Sequence, residues 1–155
     1  MDHPGPLTVL VYAVAPPQLD HGYLLLRRIQ SRGGFWQAIR VNVGENEALD
    51  EAAVRGLAKQ TALAPIRLLA VDYSYTLPAS KRATAHSPQP QHIKGRAFLA
   101  LLSAKVDPNI NAAEHDAWDW FAYEDALMWL RSPEETEALR RCEGLIPPGP
   151  PDRRP

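Results

Sequence analysis

The side chains with chemical potential are unevenly spread along this chain. From Tyr73 to Val106 there is no Asp or Glu, while Lys81, Arg82, Lys94, Arg96 and Lys105 are all basic. Asp107 to Asp125 then carries six acids. A basic hairpin of this kind could attract phosphates, or it could be an ordinary solvated hairpin facing an acidic neighbour. Asp50 and Glu51 are adjacent, so on a helix they point about a quarter-turn apart. They cannot form the i, i+3, i+4 carboxylate face that holds a hard cation. His86 and His92, six apart in a proline-containing loop, do not match a metal-ligand spacing. His115 beside Glu114 reads as a capping or structural histidine. Cys142 has no companion His at motif spacing, which argues against a nucleophile. Gly33-Gly34 lacks the further glycines or the Lys-Ser/Thr of a phosphate cradle.

The elements that position these groups belong to a chain of 155 residues with 45% hydrophobic and 23% charged residues, ordinary values for one globular domain. A net charge of -1 argues against a globally basic nucleic-acid binder. The single cysteine forbids an internal disulfide and fits a reducing, cytoplasmic setting. Met1-Asp2-His3-Pro4 lacks a basic leader region, and the apolar run Val9 to Ala15 is strand-sized, so neither a signal peptide nor a membrane span is expected. Five prolines fall among the last nine residues. The expected organisation is a loose start over 1–6, a folded domain over 7–145 and an extended or disordered Pro-rich tail over 146–155.

Within the domain the periodicity switches between strand and helix. Thr8 to Val14, Tyr23 to Arg28 and Trp36 to Val43 read as three strands separated by Pro/Asp/Gly turns. Ala48 to Thr61, free of proline and rich in Ala, Leu and Glu, reads as a helix burying Leu49, Ala52, Ala53 and Leu57. Ile66 to Leu77 and Lys94 to Ser103 read as long strands paired across the polar segment 78–93, and Trp118 to Phe121 as a short one. Tyr123 to Leu130 and Pro133 to Arg141 are helical, with Ser132 as N-cap and Pro133 at the first position. The order predicts a mixed α/β fold and excludes strict β-α alternation.

Residues 35–63, FWQAIRVNVGENEALDEAAVRGLAKQTAL, resemble the signature of the Nudix family, which hydrolyses nucleoside diphosphates linked to other groups. That signature runs Gly, five residues, Glu, seven residues, Arg-Glu-aliphatic-any-Glu-Glu-any-Gly-aliphatic. Glu47, Arg55, Leu57 and Leu63 match it. Tyr23 to Arg28 is similar to the strand before the signature, and Glu114-His115 followed by Trp118 to Leu130 to the family's late Glu-His, strand and helix. The resemblance implies an α/β/α sandwich with a mixed sheet. The departures fall on the chemistry: Val41 and Ala62 stand at the glycines, Gly56 at the first helical Glu, and Lys59-Gln60 at the Glu-Glu pair. The face that would hold Mg²⁺ or Mn²⁺ therefore carries no carboxylate, and Lys59 would repel a cation.

Three functional expectations follow from the resemblance. The first is a protein with lost or weak hydrolysis, without a metal site, that binds a nucleotide-like phosphate ligand. In it Arg27, Trp36 and Gln37 contact the ligand, and Lys59 stands in for a cation as a point charge on phosphate. The second is a metal-dependent pyrophosphohydrolase with a displaced site drawn from Glu47, Glu51 and Glu114, with Arg55 bracing Glu47 and Mg²⁺ or Mn²⁺ required. The third is a non-catalytic scaffold, including a homodimer, and an open polar-lined pocket would weigh against it. A partner chain supplying the missing carboxylates stays open.

Overall fold

The structure is a computed structural model that describes residues 7–15, 21–78 and 92–146. The loose start, Lys81, Arg82, His86, the side chain of His92 and all of the Pro-rich tail beyond Ile146 lie outside the described residues.

Strand β1 (Leu7–Ala15) is buried without interruption from Val9 onward. It shows no polar alternation because both of its faces are covered. Leu10, Tyr12 and Val14 join one core, while Val9, Val11, Ala13 and Ala15 join the other. Strand β2 (Gly22–Arg28) divides in the same way, Tyr23 and Leu25 to the first core and Leu24 and Leu26 to the second. Helix α1 (Leu49–Thr61) closes the second core with Ala52, Ala53 and Leu57. Helices α2 (Tyr123–Trp129) and α3 (Pro133–Leu145) close the first with Ala126, Ala138, Leu139 and Cys142. The result is the three-layer α/β/α sandwich. Among the described residues no helix is long and apolar enough to cross a membrane.

The sheet is mixed and seven-stranded. β1 runs parallel to β6 (His92–Leu101), which pairs antiparallel with β5 (Arg67–Pro78). β2 pairs antiparallel with β7 (His115–Phe121). β1 and β2 pair with each other only at Val14–Tyr23 and Ala15–Gly22. Beyond those pairs the two strands bind different neighbours, and the chain after Phe35 fills the fork. Trp36–Gln37 (β3) bonds to β2, whereas Ile39–Asn42 (β4) bonds to β1. The single strand expected over Trp36 to Val43 is thus divided at Ala38, because the chain changes partner there.

The helix ends follow local chemistry with two departures. At the start of α1 the Ala48 N–H donates to Glu51 Oε1 at 3.1 Å, so the helix's own first turn satisfies it. α3 begins with Pro133 at its first position and Ser132 as N-cap residue, but the Ser132 hydroxyl makes no capping bond. α1 ends at Ala62, whose φ of 65° and ψ of 19° are left-handed. Its N–H still bonds to the Ala58 carbonyl, so closing the helix keeps an alanine in a conformation that glycine adopts freely. Ala62→Gly is therefore expected to stabilise the fold by about 0.5–1 kcal/mol, measured as a raised midpoint in thermal or urea unfolding.

Candidate functional site

The turn leading into α1 is fastened by one ion pair. Arg55 Nε and Nη2 donate to Glu47 Oε2 and Oε1 at 2.7 and 2.9 Å, and Nη2 also donates to the Asn42 carbonyl at 2.8 Å. Glu47 Oε1 accepts the Gly44 N–H at 2.8 Å. The pair therefore ties α1 to the end of β4 and to the turn, in a bidentate geometry that suits a guanidinium. These bonds hold the Glu47 carboxyl at about 2, well below its ordinary value.

Two cavities flank β4. The larger, about 630 Å³, is walled by Phe35, Trp36 and Gln37 and by Arg28, Arg40, Arg131, Ser132 and Glu135. The smaller, about 330 Å³, is lined by Arg40, Asn42, Arg55, Gly56, Lys59, Gln60, Asn111, Glu114 and His115. Arg40 lines both. Its guanidinium bonds to Glu134 at 2.7 Å and to Glu135 at 2.9 and 3.2 Å, while its carbonyl accepts Gln60 Nε2 at 2.7 Å. A second link joins the cavities where Gln37 Nε2 lies 3.4 Å from His115 Nε2. Burial pushes the His115 imidazole below its ordinary value, so it is neutral at pH 7.

The residues singled out from sequence divide between these places. Trp36 and Gln37 line the larger cavity, and Arg55, Lys59 and Glu114 the smaller. Lys59 and Glu114 have no side-chain hydrogen bond or ion pair among the described residues. Arg27 turns away from both cavities: its Nε donates to Asp116 at 2.8 Å and its guanidinium lies 5.8 Å from the centre of the Trp36 ring. Trp36 in turn packs edge-on against Phe121 at 5.0 Å. Cys142 is fully buried in the core, and burial pushes its thiol well up. Arg28, Arg40, Ser132 and Glu135 also line the larger cavity, and sequence reasoning did not place any of them in a site. Arg40 alone left a trace, as a charge between Ile39 and Val41 in an apolar strand.

The carboxylates nearest the signature are dispersed among the described residues. Glu47 is engaged by Arg55, Glu51 by the Ala48 N–H, and Glu114 stands apart in the smaller cavity. Among the described residues no three His, Cys, Asp or Glu side chains come together to hold a metal ion. At position 56 there is also no room for a side chain. A Cβ on Gly56 would lie 2.0 Å from Val41 Cγ2 and 2.7 Å from Cγ1. The valine at one signature position fills the space vacated at the other.

The family model described as the NUDIX domain matches residues 6–142. A curated protein named octanoyltransferase, from Myxococcus xanthus, is 31% identical over 145 residues, 92% of this chain and 38% of that protein. The chain thus spans about two-fifths of that relative's length. The E. coli dihydroneopterin triphosphate pyrophosphohydrolase aligns with a TM-score of 0.69 at 19% identity, covering 93% of this chain and 95% of that one. The NUDIX domain of Shewanella oneidensis NrtR, complexed with ADP ribose, aligns with a TM-score of 0.67 at 18% identity, covering 95% and 91%. At these identities the structural likenesses establish the fold.

Two measurements probe this geometry. Gly56→Ala is expected to destabilise the protein by about 1–3 kcal/mol despite alanine's better helix propensity, because the new methyl meets Val41. In a Val41→Gly background the same change should lose most of that cost, giving a non-additive double-mutant cycle in urea unfolding. The Glu47 carboxyl should titrate near pH 2 by NMR, and Arg55→Gln should return it toward about 4.5. The sign follows from a lowered folded-state pKa: the brace's contribution to stability is complete above the unfolded value and fades as pH falls toward 2.

Proposed function

The chain belongs to the Nudix family, and from that premise we propose that it binds a nucleotide-like phosphate ligand through its own cationic side chains. The ring of the ligand occupies the larger cavity and a phosphoryl group the smaller one. The observation that carries this reading is Lys59. It stands on the α1 face where the family's signature has carboxylates, its ammonium is unpaired among the described residues, and it opens into a polar cavity joined through Arg40 to an aromatic-walled one.

Bound cations in the family's signature site would neutralise a pyrophosphate and supply an attacking hydroxide. Lys59 performs only the first task, as a point charge on a phosphate oxygen. Gln60 donates its amide to the Arg40 carbonyl, and His115 lies 3.4 Å from Gln37, and neither offers the carboxylate that would hold a cation. Trp36 and Phe35 offer apolar faces for a ring, and Gln37 a polar edge. Hydrolysis by this chain is accordingly weak or absent, and ligand affinity does not depend on a divalent cation. A setting in the cytoplasm accords with the single, buried, free cysteine. Octanoyl transfer is not carried over, because the relative so named is much longer and an acyl nucleophile is not offered by a buried, protonated Cys142.

A hydrolase with a displaced site is the second reading, favoured by the unpaired Glu114 carboxylate in the smaller cavity. It would require Mg²⁺ or Mn²⁺ and would lose turnover with Glu114→Gln. A bare scaffold is less well supported, since Trp36 lines an open cavity instead of filling it. Calorimetric titration with nucleoside mono-, di- and triphosphates separates the readings. Binding should persist in EDTA, and Lys59→Met should weaken it about tenfold, the effect of losing one charge-assisted hydrogen bond. Binding abolished by EDTA, together with metal-dependent phosphate release, would replace the first reading with the second.

A further inference from the structure

The charges around the larger cavity do not balance. Glu135 is the one acid among its lining residues, and its carboxylate is wholly engaged by the Ala38 N–H and by Arg40. Arg40 is likewise satisfied, by Glu134 and Glu135. Arg28 and Arg131 remain on the same walls with no carboxylate partner among the described residues. Arg131 lies over the Phe35 ring, its guanidinium carbon 5.5 Å from the centre. The Nε of Arg28 is sealed from solvent without an acceptor, as is the Ser132 hydroxyl. A buried donor left in that state is costly, and a guanidinium more so than a neutral group. Residues 79–91, which follow Leu77 of the cavity wall in sequence, contain no Asp or Glu.

We infer that the larger cavity receives a second anionic group, a phosphate monoester carried at the ring end of the ligand, read by the fork of Arg28 with Arg131 and Ser132 beside it. A guanidinium offers paired donors to a phosphate on the ribose, and an aromatic wall next to it accommodates the base of the same nucleoside. This rests on the proposed nucleotide site and narrows it: the ligand is phosphorylated at both ends, with Lys59 at one end and Arg28 at the other. Both donors are sealed in this structure, so engaging them requires each side chain to rotate toward the cavity. The bound ligand then relieves two orphaned donors at once.

The test compares adenosine and guanosine 5′-monophosphates with the corresponding 3′,5′-bisphosphates, titrated calorimetrically in EDTA against the full chain. The bisphosphate should bind about tenfold tighter or better. Arg28→Gln should bring that ratio toward one, Arg28→Lys should restore part of it, and Lys59→Met should weaken both nucleotides without changing the ratio. In the unmutated protein the Arg28 Nε–H resonance should shift with the bisphosphate and not with the monophosphate, a readout independent of how well the variants fold. Equal affinity for mono- and bisphosphates would overturn this inference and leave the nucleotide-binding reading standing. A bisphosphate advantage indifferent to Arg28, with no shift of its resonance, would overturn the assignment. Failure of every nucleotide to bind would overturn both readings.

Discussion

A carboxylate that is almost entirely withdrawn from water organises this protein. Glu135 is 2% exposed, yet it reaches from α3 into the fork of the sheet. At that fork Ala38 changes strand partner, and its N–H lies outside both ladders. Glu135 Oε1 accepts that N–H at 3.1 Å, and the Arg40 guanidinium, two residues further on, covers the other oxygen. The Tyr12 hydroxyl adds a third tie by donating to the Glu135 carbonyl at 2.8 Å. Burial pushes the Glu135 carboxyl up, while Arg40 and the amide pull it back. Breaking such a pair from one side costs about 3–5 kcal/mol, since the abandoned charge stays buried. Glu135 therefore links helix α3 to the divided strand and, through Arg40, to the walls of both cavities.

The ion pair at the opposite side of β4 behaves differently. Glu47 and Arg55 are exposed enough for water and salt to screen them, and their value lies in geometry more than in energy. The two side chains clamp the turn in which Asn46 takes a φ of 63° and hold α1 against the end of β4. The signature thus keeps the ion pair that braces the turn, while its two glycines and its three helical carboxylates are replaced by Val41, Ala62, Gly56, Lys59 and Gln60. Architecture and chemistry are separable here because they use different faces of the same helix. Leu57 and Ala53 point to the core, Arg55 to the turn, and Gly56, Lys59 and Gln60 to the smaller cavity.

Much of the frame was legible from local pattern. β1 and β2 were readable because continuous burial leaves an uninterrupted apolar run, and α1 because its composition and spacing agree. The division of β3 from β4 was not readable, since no turn residue marks Ala38 and the cause is a change of distant partner. Arg40 and Glu135 are 95 residues apart, so nothing short-range announces their bond. Ser132 was read rightly as the residue before α3 but not as a hydroxyl that makes no capping bond. Among the candidate ligand contacts, Trp36, Gln37 and Lys59 line the cavities, while Asp116 draws Arg27 elsewhere, a pairing across 89 residues that periodicity does not encode.

The packing of Val41 over Gly56 has a consequence for how substitutions combine. Each residue makes the other necessary: the valine fits because the helix is bare beneath it, and the helix stays bare because the valine is there. A single step that placed a glutamate at position 56 would meet a steric wall before it gained any ligand. A single step that removed the valine would leave a hole in the core. The two positions are coupled by packing, so a change at either one alone passes through a less stable protein, and only a paired change avoids that cost.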